Sequence, residues 1–137
     1  MEYKRGQIST EYLIIVGFVI FLVVSVLGLA LYYSSSISDR IRFDQVNNFA
    51  NKIVSSAETV FYSGEPSRVT INAYLPAGVS GISVLSNGIV INVSTASGLN
   101  TVYFESKVPL TGSLNKNEGV KKILISAEVD SARISEE

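Results

Sequence analysis

The first part of the chain is dominated by an uninterrupted apolar run. Residues 12–33 carry no charged side chain. As a helix, a run of this length spans roughly 33 Å, which is enough to cross the hydrocarbon core of a bilayer. Tyr12 stands at one end of the run and Tyr32-Tyr33 at the other, and amphipathic aromatic rings favour membrane interfaces. The pattern therefore predicts a membrane-spanning helix near the N-terminus.

Beyond this run the apolar residues continue at helical spacing, but on one face only. This stripe recurs at three- and four-residue steps and consists of Val46, Phe49, Ala50, Ile53, Val54, Ala57, Val60 and Phe61. Gly64 and Pro66 then supply a helix stop. We predict one helix over about residues 8–62, with an apolar first half and an amphipathic second half. Gly28 and Ser34-Ser35-Ser36 are the places where this helix could bend or break.

From Arg68 onward the hydrophobic period changes to two, which is typical of half-buried strands. Five strands are predicted, over residues 69–75, 82–85, 89–93, 101–108 and 120–129. Asn87-Gly88 lies between the second and third of them and is a strong hairpin signal. The predicted fold class is α+β, with the amphipathic half of the helix packed on the apolar face of a small antiparallel β-sheet head.

Composition narrows the possible functions. The chain has 137 residues, a net charge of −1, and neither cysteine nor histidine. Disulfides therefore cannot support the small head, which must rely on the helix or on neighbouring subunits. Without histidine the usual general base and the commonest metal ligand are missing. The carboxylates show no motif spacing, no glycine-rich phosphate loop occurs, and the basic residues are scattered. We expect no enzyme, no cofactor or metal site, and no nucleic-acid partner.

The residues that precede the apolar run form a recognisable motif. Lys4, Arg5 and Gly6 come first, followed by Gln7-Ile8-Ser9-Thr10 and a single acid, Glu11, at the edge of the run. Charge beside hydrocarbon is costly, so the position of Glu11 requires a reason. The segment resembles the class III signal peptide of archaeal type IV pilins. Residues 74–82 also look like part of archaeal pilin head domains.

This resemblance implies a type IV pilin-like fold and a division of the chain into four parts. Residues 1–6 would be a leader, 7–38 a transmembrane and filament-core helix, 39–62 its amphipathic continuation, and 63–137 the β head. A prepilin peptidase on the cytoplasmic side would recognise Lys4, Arg5, Gly6 and Gln7 and cut after Gly6. The precursor would then lie in the cytoplasmic membrane with its N-terminus inside, and pilus assembly machinery would build the mature chains into an extracellular homopolymer. Surface adhesion is the usual purpose of such filaments.

Glu11 has a physical role to play in such a polymer. Cleavage after Gly6 would expose a cationic amine at Gln7, with Glu11 about one turn along the helix. The helix dipole favours an acid there by some tenths of a kcal/mol up to about 1 kcal/mol. In a bundle of apolar helices its desolvation would cost several kcal/mol unless a cation met it. The amine of the same chain or of an adjoining subunit is the natural partner, and the resemblance implies that this pairing helps to set subunit register.

Asn92 begins the sequon Asn92-Val93-Ser94. Alternation with the apolar residues Ile91 and Val93 predicts that its side chain points outward, so N-glycosylation is sterically possible.

Other functions remain open at this level. An archaellin or a minor pilin would share the leader type. A secreted or membrane-anchored β-domain binding module that does not polymerise is a rival from another class, because Gly28-Leu29-Ala30 could direct ordinary signal-peptide cleavage. A single-pass protein that keeps its N-terminus is a third. A mature chain that starts at Gln7 favours a pilin, at Leu31 a secreted module, and at Met1 a simple anchor.

Overall fold

The computed structural model describes residues 3–96 and 98–137, and within these the side chains from Ser9 onward. The chain forms one long helix followed by seven strands. These elements are α1 (Tyr3–Ser63), β1 (Arg68–Leu75), β2 (Val79–Leu85), β3 (Gly88–Thr95), β4 (Gly98–Glu105), β5 (Leu110–Gly112), β6 (Gly119–Ala127) and β7 (Ala132–Glu136). The α+β fold class predicted from the sequence is confirmed. By its internal contacts the chain divides into two units, one up to Ser38 and one from Asp39 to Glu137, and α1 contributes residues to both.

Helix α1 begins about five residues earlier than predicted. It starts at Tyr3 rather than near residue 8, because nothing in the first residues interrupts it and a single glycine inside a long helix costs only about 1 kcal/mol. Its end agrees with the prediction to within one residue. Gly64 adopts a left-handed φ of 73°, and its amide donates to the Phe61 carbonyl over 3.0 Å, as expected for a glycine at a helix C-terminus.

The serine cluster does not break the helix. The Ser35 hydroxyl donates to the Tyr32 carbonyl (2.9 Å), and the Ser38 hydroxyl donates to the Ser34 carbonyl (3.0 Å). These side chains are therefore satisfied by carbonyls of the preceding turn, without displacing the backbone from its helical conformation.

The head contains two sheets rather than the single five-stranded antiparallel sheet that was predicted. One sheet has four strands in the order β1-β6-β7-β5, and the other has three in the order β2-β3-β4. β5 pairs with β7 in parallel, whereas the other pairs are antiparallel. Two short strands, β5 and β7, were missed because three and five residues are too few to establish a period of two.

Two of the predicted strand ends were also wrong. β4 ends at Glu105 instead of residue 108, because the Ser106 hydroxyl donates to the Val108 carbonyl and closes a local turn. β6 ends at Ala127 instead of residue 129, and the Glu128 amide donates to the Ser131 carbonyl in the turn that leads to β7.

The β2–β3 hairpin was predicted at the right place, with its turn displaced by one residue. Leu85 pairs with Gly88, so the two-residue loop is Ser86-Asn87 rather than Asn87-Gly88. Gly88 serves instead to let β4 approach closely. A Cβ at this position would lie 2.2 Å from the Phe104 carbonyl oxygen, which no side chain permits.

The predicted packing of the amphipathic stripe on the head is confirmed. The core is one cluster that joins the stripe to both sheets. Its helical members, all buried, are Val46, Phe49, Ala50, Ile53, Val54, Ala57 and Val60. The β3 residues Ile89, Ile91 and Val93 and the β6 residues Ile123 and Ile125 belong to the same cluster. The head therefore depends on the helix for one wall of its core, which explains how so small a domain is stable without disulfides.

Candidate functional site

The apolar run of α1 is the largest exposed feature of the chain. Between Tyr12 and Tyr33 every residue is a large hydrophobic except Gly17, Ser25, Gly28 and Ala30, and the exposed fractions of these large side chains range from 36% to 74%. Burying one such side chain yields about 1.5 kcal/mol or more. Removal of the whole run from water would therefore release on the order of 25 kcal/mol. A surface of this kind requires a non-aqueous neighbour.

Length and composition also permit a membrane span. Among the described residues one helix, Ser9–Ser63, is long and apolar enough to cross a bilayer, and none of its most apolar stretch is buried within the chain. Between Tyr12 and Tyr32 the only side-chain hydroxyl is that of Ser25, which donates to the Phe21 carbonyl over 2.8 Å. This polar group is therefore already satisfied inside the helix, as a hydrocarbon environment demands.

The small residues of this run leave open places on the helix surface. A Cβ added at Gly17 or at Gly28 would meet nothing within 4 Å. At such points another helix can approach α1 closely, and small residues are enriched where helices pack together in apolar surroundings.

Only part of the predicted processing and assembly motif falls within the described side chains. Lys4, Arg5, Gly6 and Gln7 belong to the first turns of α1, but their side chains lie outside the described part of the chain, so their role in processing stays a prediction. The Glu11 side chain is exposed. It forms no ion pair with any side chain from Ser9 onward that the structure describes.

The position of Glu11 in the helix depends on processing. In the full chain α1 begins at Tyr3, so Glu11 lies more than two turns from the helix start. The dipole effect expected for Glu11 therefore applies to a chain that begins at Gln7, since that effect fades after the first turn.

Asn92 occupies the middle strand of the three-stranded sheet, on the outer face as predicted. Its neighbours Ile91 and Val93 are buried, whereas Asn92 is half-buried. The Thr101 hydroxyl donates to its Oδ1 over 2.8 Å. Its Nδ2 lies 3.4 Å from the point where a Cβ on Gly81 would be. The amide nitrogen that a glycan would occupy therefore faces outward beside a glycine.

A change in strand register, which the sequence did not suggest, lies beside this amide. The pairing of β2 with β3 shifts between Val79 and Gly81, which is a β-bulge at Ser80. Glycine in a strand interior often accompanies a bulge, so Gly81 is the residue that could have indicated the bulge from the sequence.

The polar side of the second half of α1 also has a role that sequence reasoning missed. Several of its charged side chains bind backbone groups of the head. Arg42 donates to the Ser94 carbonyl (3.0 Å) and Asp39 accepts from the Ala96 amide (3.2 Å). Arg42 and Asp39 also pair with each other at 3.2 Å.

Two further bonds of this kind lie farther along the helix. Glu58 accepts from the Lys107 amide over 3.0 Å, and Lys52 donates to the Asn72 carbonyl over 2.7 Å. The helix is thus fixed to the head by hydrogen bonds at its flanks as well as by its apolar stripe.

Comparisons with protein-family models, with curated proteins and with solved structures gave no match to this chain. The functional argument therefore depends on its own residues and fold.

Proposed function

We propose that the protein is a pilin, the structural subunit of an extracellular type IV pilus-like filament. The chain would be stored in the cytoplasmic membrane with its N-terminus inside. After cleavage between Gly6 and Gln7 by a prepilin peptidase, the assembly machinery would transfer its apolar helix from lipid to a bundle of identical helices. Adhesion to surfaces is the purpose that we propose for the filament.

The observation that carries this proposal is the exposure of α1 between Tyr12 and Tyr33. All sides of the helix are apolar there, and none of the residues that the structure describes covers them. Lipid satisfies such a surface in a membrane protein, and neighbouring apolar helices satisfy it equally well in a polymer. The compact head from Asp39 onward supplies a folded domain of its own, as an extracellular subunit would need.

The position of Glu11 favours a filament over a simple membrane anchor. In a simple anchor Glu11 would be an ordinary interfacial carboxylate that reaches back to lipid headgroups, and the span would not require it. In a bundle, however, the same carboxylate can meet the α-amine of a neighbour, and an ion pair of this kind is far stronger in apolar surroundings than in water. The test is therefore whether Glu11 is needed for assembly but not for processing.

The decisive experiment expresses the full chain in a host that has a prepilin peptidase and pilus assembly machinery. Mass spectrometry of the product should show a mature chain that starts at Gln7, and electron microscopy should show filaments. Glu11→Ala should be cleaved normally yet yield few or no filaments. Glu118→Ala, which removes an exposed carboxylate from the head outside its edge strands, is the control for processing and export.

Two results would contradict the proposal. A mature chain that starts at Leu31 would identify a secreted module instead, because the apolar helix would have been removed. A chain that starts at Gln7 but stays monomeric under conditions in which a known pilin assembles would show that the protein does not form a filament.

A further inference from the structure

Within the described part of the head, two strand edges are left without a partner strand. β1 lies at one edge of the four-stranded sheet, and β4 lies at one edge of the three-stranded sheet. The other two edges, β2 and β5, are in contact with each other, and the Leu110 amide donates to the Ser86 carbonyl. β1 and β4 are therefore the edges at which another strand could add.

Neither strand carries within its own sequence the usual protection against strand addition. Proteins normally guard free edges with proline, with charges inside the strand, or by making the strand very short. β1 and β4 are eight residues long and contain no proline. Each has a single charged residue, and it stands at one end: Arg68 begins β1 and Glu105 ends β4.

The outward-directed backbone groups of both strands can be identified from neighbouring hydrogen bonds. Residues of an antiparallel strand alternate between bonding to one neighbour and facing the other side. The Ala127 amide donates to the Ser67 carbonyl next to β1, so the alternate residues face outward, namely Arg68, Thr70, Asn72 and Tyr74. The Ser106 amide donates to the Asn87 carbonyl next to β4, so its outward residues are Leu99, Thr101, Tyr103 and Glu105.

We propose that β4 of one copy of this chain pairs antiparallel with β1 of the next copy, with Glu105 opposite Arg68. This register aligns all eight residues of both strands, from Gly98 opposite Leu75 to Glu105 opposite Arg68. It also places the outward-bonding residues of one strand opposite those of the other, as an antiparallel ladder requires.

The side chains agree with this register on both faces of the sheet. On the core side the partly buried Phe104 and Val102 would lie opposite the partly buried Val69 and Ile71. On the outer side the following pairs would form: Leu99 with Tyr74, Thr101 with Asn72, and Tyr103 with Thr70. Leu99 and Tyr74 are 64% and 50% exposed in the single chain, so their contact would cover two of the exposed apolar side chains of the head.

Charge selects this partner over the other pairings of the same edges. A parallel arrangement of β4 with β1 would place Arg68 beside Gly98 and Glu105 beside Leu75. Antiparallel pairing of β4 with a second β4 through its outward-bonding residues would leave Glu105 opposite Leu99, and the same pairing of β1 with a second β1 would leave Arg68 opposite Tyr74. Only the antiparallel β4–β1 pair brings the two charges together. Among the described residues neither charge has an ion-pair partner within its own chain.

The Lys52 side chain does not block this edge. Its ammonium donates to the Asn72 carbonyl, but a carbonyl oxygen has two lone pairs and can also accept from the Thr101 amide of a neighbour. Because two different edges meet, every open array of copies keeps a free β1 at one end and a free β4 at the other, and the contact repeats without closing on itself unless the rotation between copies forms a ring. The contact would thus join the heads of neighbouring subunits in the proposed filament. The contact itself does not depend on the proposed function, but a long array of such contacts does.

Disulfide trapping tests the pairing directly, because the chain has no cysteine of its own. Residues opposite each other in a hydrogen-bonded antiparallel pair have Cα atoms about 5.5 Å apart, a distance that a disulfide can bridge. The full-length double variant Leu99→Cys/Tyr74→Cys, oxidised on cells or in membranes, should give a ladder of linked multimers on a non-reducing gel. Each single variant alone should remain monomeric, whereas the two single variants expressed together should give dimers.

The control is Leu99→Cys/Val129→Cys. Val129 is 80% exposed and lies outside both edge strands, so this pair should give no ladder. As a second readout, Glu105→Arg should abolish the ladder in the double-cysteine chain. Addition of Arg68→Glu should restore it, a recovery that a merely misfolded variant would not show.

The outcomes separate this inference from the proposed function. Filaments without a ladder would overturn the β4–β1 contact and leave the pilin proposal standing. A ladder without filaments would support the contact and contradict the pilin proposal, and absence of both would contradict both. Dimers from Leu99→Cys alone would show that this residue contacts its own counterpart in a second copy instead of β1, and they would also overturn the inference.

Discussion

The ion pair between Lys121 and Glu136 gives the sharpest prediction for the stability of the head. Lys121 occupies a core-facing position of β6, and its side chain is only 4% exposed. Its ammonium lies 2.7 Å from Glu136 Oε1 near the end of β7. Glu136 Oε2 accepts the Asn115 amide over 3.0 Å, so this carboxylate joins two strands and the loop between β5 and β6.

The change is Glu136→Gln, which removes the charge and keeps the shape. Loss of one partner from a buried ion pair costs about 3–5 kcal/mol, because the other charge is left buried without compensation. The Glu136 side chain is 30% exposed, and the glutamine oxygen can still accept a hydrogen bond from Lys121. Both facts reduce the penalty, and we expect a loss of about 2 kcal/mol in the free energy of unfolding.

The matched variant is Lys121→Met. It removes the buried charge itself and leaves Glu136 partly solvated, with the Asn115 amide as its remaining partner. The charge that remains is 30% exposed and is not left buried without compensation, and methionine keeps the apolar stem in place, so we expect a change below about 1 kcal/mol. The prediction is therefore an asymmetry, in which loss of the acid costs more than loss of the base.

The pH dependence follows from the same contacts. Partial burial raises the pKa of Glu136, but the hydrogen bond from Lys121, the Asn115 amide and the Lys121 charge together hold it below its ordinary value of 4.5. The folded chain therefore binds fewer protons at this site than the unfolded chain does. The stability that Glu136 contributes is present above the ordinary value and is lost as the pH falls through the lowered folded pKa.

The assay is urea unfolding of the full chain in detergent, followed by the near-ultraviolet circular dichroism of the tyrosines. It would be performed at neutral pH and at several acidic pH values. Glu136→Gln should lower the stability at neutral pH and reduce its dependence on acid. Equal losses from Glu136→Gln and Lys121→Met, or an unchanged acid dependence in Glu136→Gln, would refute the reasoning.

Two further predictions concern packing and backbone geometry, and the same unfolding assay measures both. Ile53→Ala should lower the free energy of unfolding by about 2–5 kcal/mol, because this fully buried side chain belongs to the wall that the helix gives to the core. Ile41→Ala, at a position 53% exposed, should change it by less than about 0.5 kcal/mol. Equal losses from the two variants would contradict the packing. Gly112→Ala should destabilise the head more than Gly119→Ala. Both glycines have a left-handed φ, but only at Gly112 would a Cβ clash, 1.9 Å from the Ile134 carbonyl oxygen, so similar losses would show that backbone strain alone decides.

The elements with a strong period were predictable from the sequence. The stripe from Val46 to Val60 repeats over four turns, and the structure buries it as expected. β1 alternates over eight residues and was placed almost to the residue. Prediction failed where a strand is too short to show a period of two. β5 has three residues, and its partner β7 lies far along the chain, so only the assembled head shows that they pair.

The candidate sites divide in the same way. The motif from Lys4 to Glu11 was evident in the sequence, because its charges stand out against an apolar run. The free edges of β1 and β4 were not evident, since an edge is defined by which strands do not pair. The bonds from Asp39, Arg42, Lys52 and Glu58 to the head were also missed, because a polar helical face has the same appearance in the sequence whether it contacts water or backbone.

By itself the sequence determined which segments of the chain favour contact with water and which favour an apolar environment. An apolar run of 22 residues, a helical stripe and alternating strands are local patterns of solvation, and each residue contributes to them independently of the fold. The tertiary structure alone decided which strands are neighbours, where Lys121 finds Glu136, and which two edges remain unpaired. Contacts between distant residues depend on the path of the whole backbone, and no short window of sequence contains that path.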